Sequence, residues 1–118
     1  MASAPQMSNI LTYRVLWPAN TTGVNVKSAG GQVYGWYLYN NATSIRIVKL
    51  YDKASAPTVG SDTPAQTLVL PANGGANLFN EVGFQFVNGI GIGITGGIAD
   101  NDTTAPSAND VAVNLFYN

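Results

Sequence analysis

Apolar and polar side chains alternate with a period of two along most of the chain, which is the pattern of half-buried β-strands. Residues 10–17, ILTYRVLW, are typical, and similar apolar or alternating segments follow at 24–28, 32–39, 44–53, 67–71, 78–87, 89–95 and 110–117. No window of about a dozen residues has the 3.6-residue period of an amphipathic helix. The pattern predicts an all-β protein.

Gly, Pro, Asn and Asp separate the predicted strands, as expected for turns. Seven to nine short antiparallel strands at spacings of about 8 to 15 residues are typical of a β-sandwich, and a jelly-roll-like arrangement is included in this prediction. Residues 40–43, NNAT, predict a hairpin between the strands at 32–39 and 44–53. Residues 72–77, ANGGAN, predict a turn.

A chain of 118 residues fits a single domain, and no internal repeat or boundary divides it. Small and polar residues dominate the first nine positions, MASAPQMSN. They predict a flexible N-terminal arm at residues 1–9 and a sandwich domain at 10–118. The arm has neither the charge nor the apolar stretch of a secretory signal, and no run of 18 apolar residues predicts a membrane span.

The amino-acid composition limits the chemical functions that the chain can have. The chain has no histidine and no cysteine, which removes the most common general base and the thiolate metal ligands. Charged residues make up 9% of the chain, the net charge is −1, and the five Lys and Arg residues are scattered, so nucleic-acid binding is not expected. We predict no enzymatic activity and no cofactor. A surface with so few charges predicts a partner instead.

The segment GIGIGITGG at residues 89–97 places Gly91, Gly93 and Gly96 at the G-x-G-x-x-G spacing of a dinucleotide-binding turn. That site needs a helix after the glycines, and the sequence that follows has no helical pattern. The alternative is a strand with isoleucines on one face and glycines on the other. We expect aromatic rings to cover the glycines, from this chain or a neighbouring subunit, and the candidates are Tyr37, Tyr39, Phe84, Phe86 and Phe116.

Other residues suggest sites with simpler alternatives. Asp100, Asn101 and Asp102 could bind calcium, but a turn capped by these side chains is favoured because the rest of an EF-hand pattern is missing. A carboxylate pair for glycoside hydrolysis would have to come from Glu81 and the aspartates. Tyr and Trp side chains could form a sugar-binding platform, or the tryptophans could be core residues. The residues predicted to form an interface are Trp17, Tyr37, Tyr39, Gly89, Gly91 and Gly93.

Two stretches of the chain resemble a small β-sandwich module of tailed-bacteriophage virion proteins. They are VKLYDKASAPTVGSDTPAQTLVLPANGGAN at residues 48–77 and GIGIGITGGIADNDTTAPSANDVAVNLFY at residues 89–117. The likeness covers roughly residues 34–118 and includes the LYDK strand, the APTVG loop, the LPA turn and the terminal NLFY.

The resemblance implies a structural role in the virion and carries no catalytic residues. It implies a capsid decoration, or cement, protein located on the outer capsid surface, with the major capsid protein as its partner. Such proteins commonly bind as trimers, so the resemblance implies a homotrimer. An alternative of a different class is a carbohydrate-binding or host-adhesion module of a phage fibre or tail.

Overall fold

The computed structural model describes residues 9–118, so the predicted arm lies outside the described residues except for Asn9. This range contains eight β-strands and no helix. The absence of a helix in the described chain also means that no helix there could cross a membrane. The strands are β1 (Leu11–Leu16), β2 (Val24–Lys27), β3 (Gly31–Asn40), β4 (Arg46–Tyr51), β5 (Gln66–Leu70), β6 (Gly74–Phe86), β7 (Ile90–Thr95) and β8 (Val111–Tyr117).

The strands form two four-stranded antiparallel sheets. Sheet A has the order β1-β8-β3-β6 and sheet B has the order β2-β7-β4-β5. The pairings are nested, because β1 pairs with β8, β2 with β7, β3 with β6 and β4 with β5. A long hairpin rolled up in this way is a jelly roll, so the predicted all-β sandwich is confirmed.

Two strands of sheet A are longer than the sequence pattern predicts. β3 has ten residues and β6 has thirteen. β6 begins at Gly74, within the predicted turn 72–77, because Asn73 makes the turn with a positive φ of 50° and Gly74 already pairs with Asn40. Between Phe79 and Phe84, residues 80–83 bulge out of the ladder with β3, so a single interrupted strand occupies the 78–87 segment.

The predicted hairpin between the third and fourth strands is wrong, because β3 lies in sheet A and β4 in sheet B. The fully buried side chain of Asn40 explains the crossover. Its Nδ2 donates to the carbonyls of Ser44, at 2.8 Å, and Pro71, at 3.0 Å, while its Oδ1 accepts from the amide of Ala42 at 2.9 Å. These bonds fix the corner at which the chain leaves one sheet for the other.

The core lies between the inner faces of the two sheets. Ile90, Ile92 and Ile94 of β7 are completely buried there, as the alternation of Ile and Gly predicts. Burying a side chain of this size contributes about 1.5 to 3 kcal/mol. The other buried members of the core are Trp17, Val33, Trp36, Leu38, Val48, Leu50, Leu70, Phe86, Val111, Val113 and Leu115.

Candidate interaction surface

The outer face of the two central strands of sheet B, β4 and β7, is covered by two long loops of the same chain, residues 54–65 and 96–109, here called the loop cover. Glycines of β7 make close contact with the first loop possible. A Cβ atom added to Gly91 would lie 2.9 Å from Cδ of Pro57, and one added to Gly93 would lie 2.5 Å from Cγ2 of Val59. The bare backbone of β7 is therefore the surface on which the first loop packs.

The expectation that aromatic rings of the predicted set cover these glycines is wrong. Tyr37, Tyr39, Phe84, Phe86 and Phe116 all belong to strands of sheet A, on the other side of the sandwich. A proline, a valine and the side chain of one tyrosine of β4 take their place beside the glycines. The proline ring suits the position because its fixed φ also stiffens the loop.

Two titratable side chains of β4 are buried beneath the loop cover. Nζ of Lys49 donates to the carbonyl of Ala99 at 2.7 Å. Burial lowers the pKa of Lys49, against the opposing effect of the negative charges of Asp102 and Asp100. Burial, together with the negative charges of nearby aspartates, raises the pKa of Tyr51 to about 12. Both side chains lie inside the fold, and the bond of Lys49 to Ala99 holds the second loop on the sheet.

The Asp100–Asp102 sequence forms a turn closed by its own side chain. Asp102 accepts hydrogen bonds from the amides of Thr104, at 2.9 Å, and Gly97, at 3.1 Å. The amide of Thr104 is the main reason that the pKa of Asp102 is lowered. No cluster of three or more acidic side chains suited to a metal ion is found within residues 9–118. The geometry favours the capped turn over the calcium site.

Three further aspartates are also bound within the fold, which bears on the idea of a catalytic carboxylate pair. Asp52 accepts from the three consecutive amides of residues 87–89, at 3.0, 2.7 and 3.3 Å. Asp62 forms a salt bridge of 2.7 Å with Lys53, and Asp110 forms one of 2.9 Å with Arg46. Four of the six acidic residues thus hold loops or turns together.

The outer face of sheet A carries exposed aromatic side chains instead of a loop cover. Tyr37, Tyr39 and Phe79 are 52%, 46% and 50% exposed. The ring of Phe116 lies between two of them, with its centroid 5.1 Å from that of Tyr37 and 6.4 Å from that of Phe79, both in edge-to-face geometry. We call these four residues the aromatic face.

Polar side chains around the aromatic face are mostly neutral. The strand register places Asn114 of β8 and Asn77 of β6 on either side of Tyr37. Arg14 of β1 is the charged residue that the register puts on this side of the sheet. No pocket is found among residues 9–118, so the aromatic face is an open surface of the sandwich. Exposed aromatic groups with neutral neighbours are characteristic of contact surfaces.

The structure separates the residues predicted to form an interface. Trp17 is 1% exposed and lies in the core, where its Nε1 donates to the carbonyl of Asn20 at 3.0 Å. The three glycines at 89, 91 and 93 are buried beneath the loops of the chain itself. None of these four is available to a partner in this fold, which leaves Tyr37 and Tyr39 as the exposed members of the set.

Phe79 and Phe116 belong to the same surface, although the sequence analysis does not assign them to it. The signal for Phe116 is its position in β8, where it alternates with the buried Val113 and Leu115. Phe79 has no comparable local signal, because the bulge at residues 80–83 interrupts the alternation of β6.

Comparison of the chain with protein-family models, curated proteins and solved structures finds no match in any of the three.

Proposed function

We propose that the chain is a non-catalytic structural protein of a bacteriophage virion, and that it binds the outer capsid surface as a decoration protein. The aromatic face is the observation that carries the proposal. The central strands of sheet B are covered by the protein's own loops, whereas sheet A presents aromatic rings to solvent. The resemblance of residues 48–77 and 89–117 to phage virion modules points to the capsid as the partner.

The free energy expected from burying the aromatic face on binding agrees with this role. Burial of a half-exposed Tyr or Phe contributes about 1 kcal/mol, so three such residues give a modest affinity for each site. Aromatic side chains are also enriched among the residues that dominate protein interfaces. A capsid repeats the same site many times, and self-association of the decoration protein, as a trimer or another oligomer, would multiply weak contacts into stable attachment.

The first test is a count of copies in purified particles of the phage or prophage whose genome encodes the chain. Quantitative mass spectrometry against the major capsid protein should find copies in the hundreds for each particle. Absence from the particles would refute a virion role. A count of about ten or fewer would refute decoration and place the protein in a tail or fibre.

The second test uses variants of the aromatic face. The double substitution Tyr37→Ser and Phe79→Ser should abolish readdition of the purified protein to particles that lack it, because both rings are half exposed and contribute little to the core. Val69→Ser is a matched control, since Val69 is 44% exposed on the other sheet. Equal occupancy by wild type and the double variant would show that another surface binds the capsid.

A neutral glycan is a second candidate partner for the same face. The observation that favours it is the position of Tyr37 between two asparagine side chains, Asn77 and Asn114, because an aromatic ring beside amide groups can both stack on a sugar and bond its hydroxyls. A glycan array and binding to intact bacterial cells test this alternative. Binding that is lost in Tyr37→Ser and retained in Val69→Ser would support adhesion, and no binding to either target would refute it.

A further inference from the structure

The two sheets have four edge strands, and three of them carry features that prevent pairing with another chain. β2 has only four residues, with a register shift before Lys27. β5 has five residues and lies between Pro64 and Pro71. β6 is interrupted by residues 80–83, where Gly83 has a φ of 81° and Glu81 adds a charge. Short strands, bulges, lysines and prolines are the usual protections of sheet edges.

The fourth edge strand, β1, lacks these protections. Its six residues pair with β8 in an unbroken register, it contains no proline, and Arg14 is its one charge. Leu11 and Leu16 at its ends are 52% and 46% exposed. Within residues 9–118 no strand pairs with the other side of β1. A regular, weakly charged edge of this kind is a template for strand addition.

The backbone groups available for pairing can be identified. The amide of Trp17 donates to the carbonyl of Val111 in the direction of β8. Hydrogen-bonding direction alternates along an antiparallel strand, so the odd residues of β1 bond to β8 and the even residues, Thr12, Arg14 and Leu16, point to the free edge.

We propose that β1 pairs antiparallel with β1 of a second copy of this chain, in a two-fold register centred on Tyr13. In this register Thr12 of each copy lies opposite Arg14 of the other, and the available amides and carbonyls of these residues bond to each other. The exposed Leu11 comes to lie opposite Val15 of the second copy. A register centred on Arg14 would oppose two guanidinium groups and is disfavoured by their repulsion.

The paired strands join two copies of sheet A into one eight-stranded sheet and leave both aromatic faces uncovered. The inference does not rest on the proposed function, because it concerns a different surface and requires no capsid. It also differs from the threefold assembly that the phage resemblance implies, since a strand paired with its own copy makes a two-fold contact.

Sedimentation equilibrium of the full chain over a range of concentrations tests the proposal. The mass should rise to twice the chain mass of 12.3 kDa. Thr12→Lys places an ammonium group opposite Arg14 at two symmetric positions and should raise the dimer Kd about tenfold, whereas Thr12→Glu should lower it by about the same factor at low salt. Thr67→Lys, an exposed position on the β5 edge, is the matched control and should leave the Kd unchanged.

Hydrogen exchange of the wild-type chain provides a second measurement that needs no variant. The amides of Thr12 and Arg14 should become protected as the concentration rises, whereas the amides of Tyr13 and Val15, which already bond to β8, should change little. A chain that stays monomeric, a mass of three chains, unprotected Thr12 and Arg14 amides, or Kd shifts of the same sign for the Lys and Glu variants would overturn the proposal.

Discussion

Replacing Gly91 with alanine tests the contact between β7 and the loop cover. The added Cβ would lie 2.9 Å from Cδ and 3.0 Å from Cγ of Pro57, and 3.5 Å from Cβ of Tyr51. Carbon atoms prefer separations of about 3.5 to 4.0 Å. A proline ring cannot rotate away as a flexible side chain can, so the loop or the strand has to move by several tenths of an ångström.

Two opposing contributions set the size of the effect. Forcing an extra carbon into a well-packed site typically costs about 1 to 3 kcal/mol. Alanine is favoured over glycine in a strand by about 0.5 to 1 kcal/mol, mainly through the entropy of the unfolded chain. The free energy of unfolding should therefore fall by about 1 kcal/mol in Gly91→Ala, within the range of about 0 to 2.5 kcal/mol that the difference of these two terms spans.

A double-mutant cycle measured by urea unfolding isolates the contact. The combination of Gly91→Ala with Pro57→Ala should be less destabilising than the sum of the single changes by about 1 kcal/mol, because the smaller side chain makes room for the new Cβ. Val69→Ala is the control partner, since Val69 is exposed on β5, which β4 separates from β7, and its effect should add to that of Gly91→Ala within about 0.5 kcal/mol. A Gly91→Ala variant as stable as wild type, with no coupling to Pro57→Ala, would refute this account of the loop cover.

Substitutions at three further residues probe groups held inside the fold. Asp52→Asn removes a charged acceptor from three backbone amides and should lower the free energy of unfolding at pH 7 by about 1 to 2 kcal/mol in urea titrations. Tyr51→Phe removes a buried hydroxyl with no protein partner in the described chain and should leave stability unchanged or raise it by up to about 1 kcal/mol in the same assay. Lys49→Met should raise it by about 1 kcal/mol, because the ammonium no longer has to be buried, whereas Lys49→Ala should lower it by about 1 to 3 kcal/mol through the cavity it leaves.

The pH dependence of stability checks the first two substitutions. Burial of Asp52 acts to raise its pKa, but the three amides outweigh it and hold the pKa below the usual 3.8. The ionised carboxylate of Asp52 therefore stabilises the fold above pH 3.8, and this stabilisation is lost as the pH falls through the lowered pKa. The free energy of unfolding of Asp52→Asn should fall less steeply with decreasing pH than that of wild type. The raised pKa of Tyr51 stabilises the fold below pH 10.0 and is lost as the pH rises through about 12, so Tyr51→Phe should resist alkaline unfolding.

Opposite outcomes would show which contacts are wrongly assigned. An Asp52→Asn protein with wild-type stability and an unchanged acid limb would mean that its amide contacts contribute nothing. If Tyr51→Phe unfolds in alkali at the same pH as wild type, a group other than Tyr51 causes the loss of stability at high pH. A Lys49→Met protein at least 1 kcal/mol less stable than wild type would show that the bond to Ala99 outweighs the cost of burial.

The local alternation of apolar and polar side chains is enough to predict most of the strands. The period of two along residues 10–17 and 32–39 reflects burial on one side of a sheet, and β1 and β3 lie within a residue of those ranges. Alternation says which face of a strand is buried but not which strand is its neighbour. The hairpin predicted at residues 40–43 is wrong for this reason, because the deciding contacts of Asn40 reach as far as Pro71.

Local alternation also predicts which single residues of the candidate surface are exposed, but not which of them come together. Tyr37 and Tyr39 are exposed because they alternate with the buried Trp36 and Leu38. Trp17 continues the buried side of β1, so its place in the core follows from the pattern that predicts the strand. Tyr37, Phe79 and Phe116 are neighbours because β8, β3 and β6 lie side by side in sheet A. This strand order is set by contacts between distant parts of the chain.

Hydroxyl-radical footprinting of the protein, free and bound to purified capsids, tests the central claim most directly. The claim is that sheet A meets the partner through its aromatic face, while the central strands of sheet B are already covered by the chain's own loops. Oxidation of Tyr37, Tyr39 and Phe79 should fall sharply on binding, and oxidation of Ile98, which is 58% exposed in the loop cover, should not change. Protection of Ile98 with unchanged oxidation of the three aromatic residues would contradict the claim.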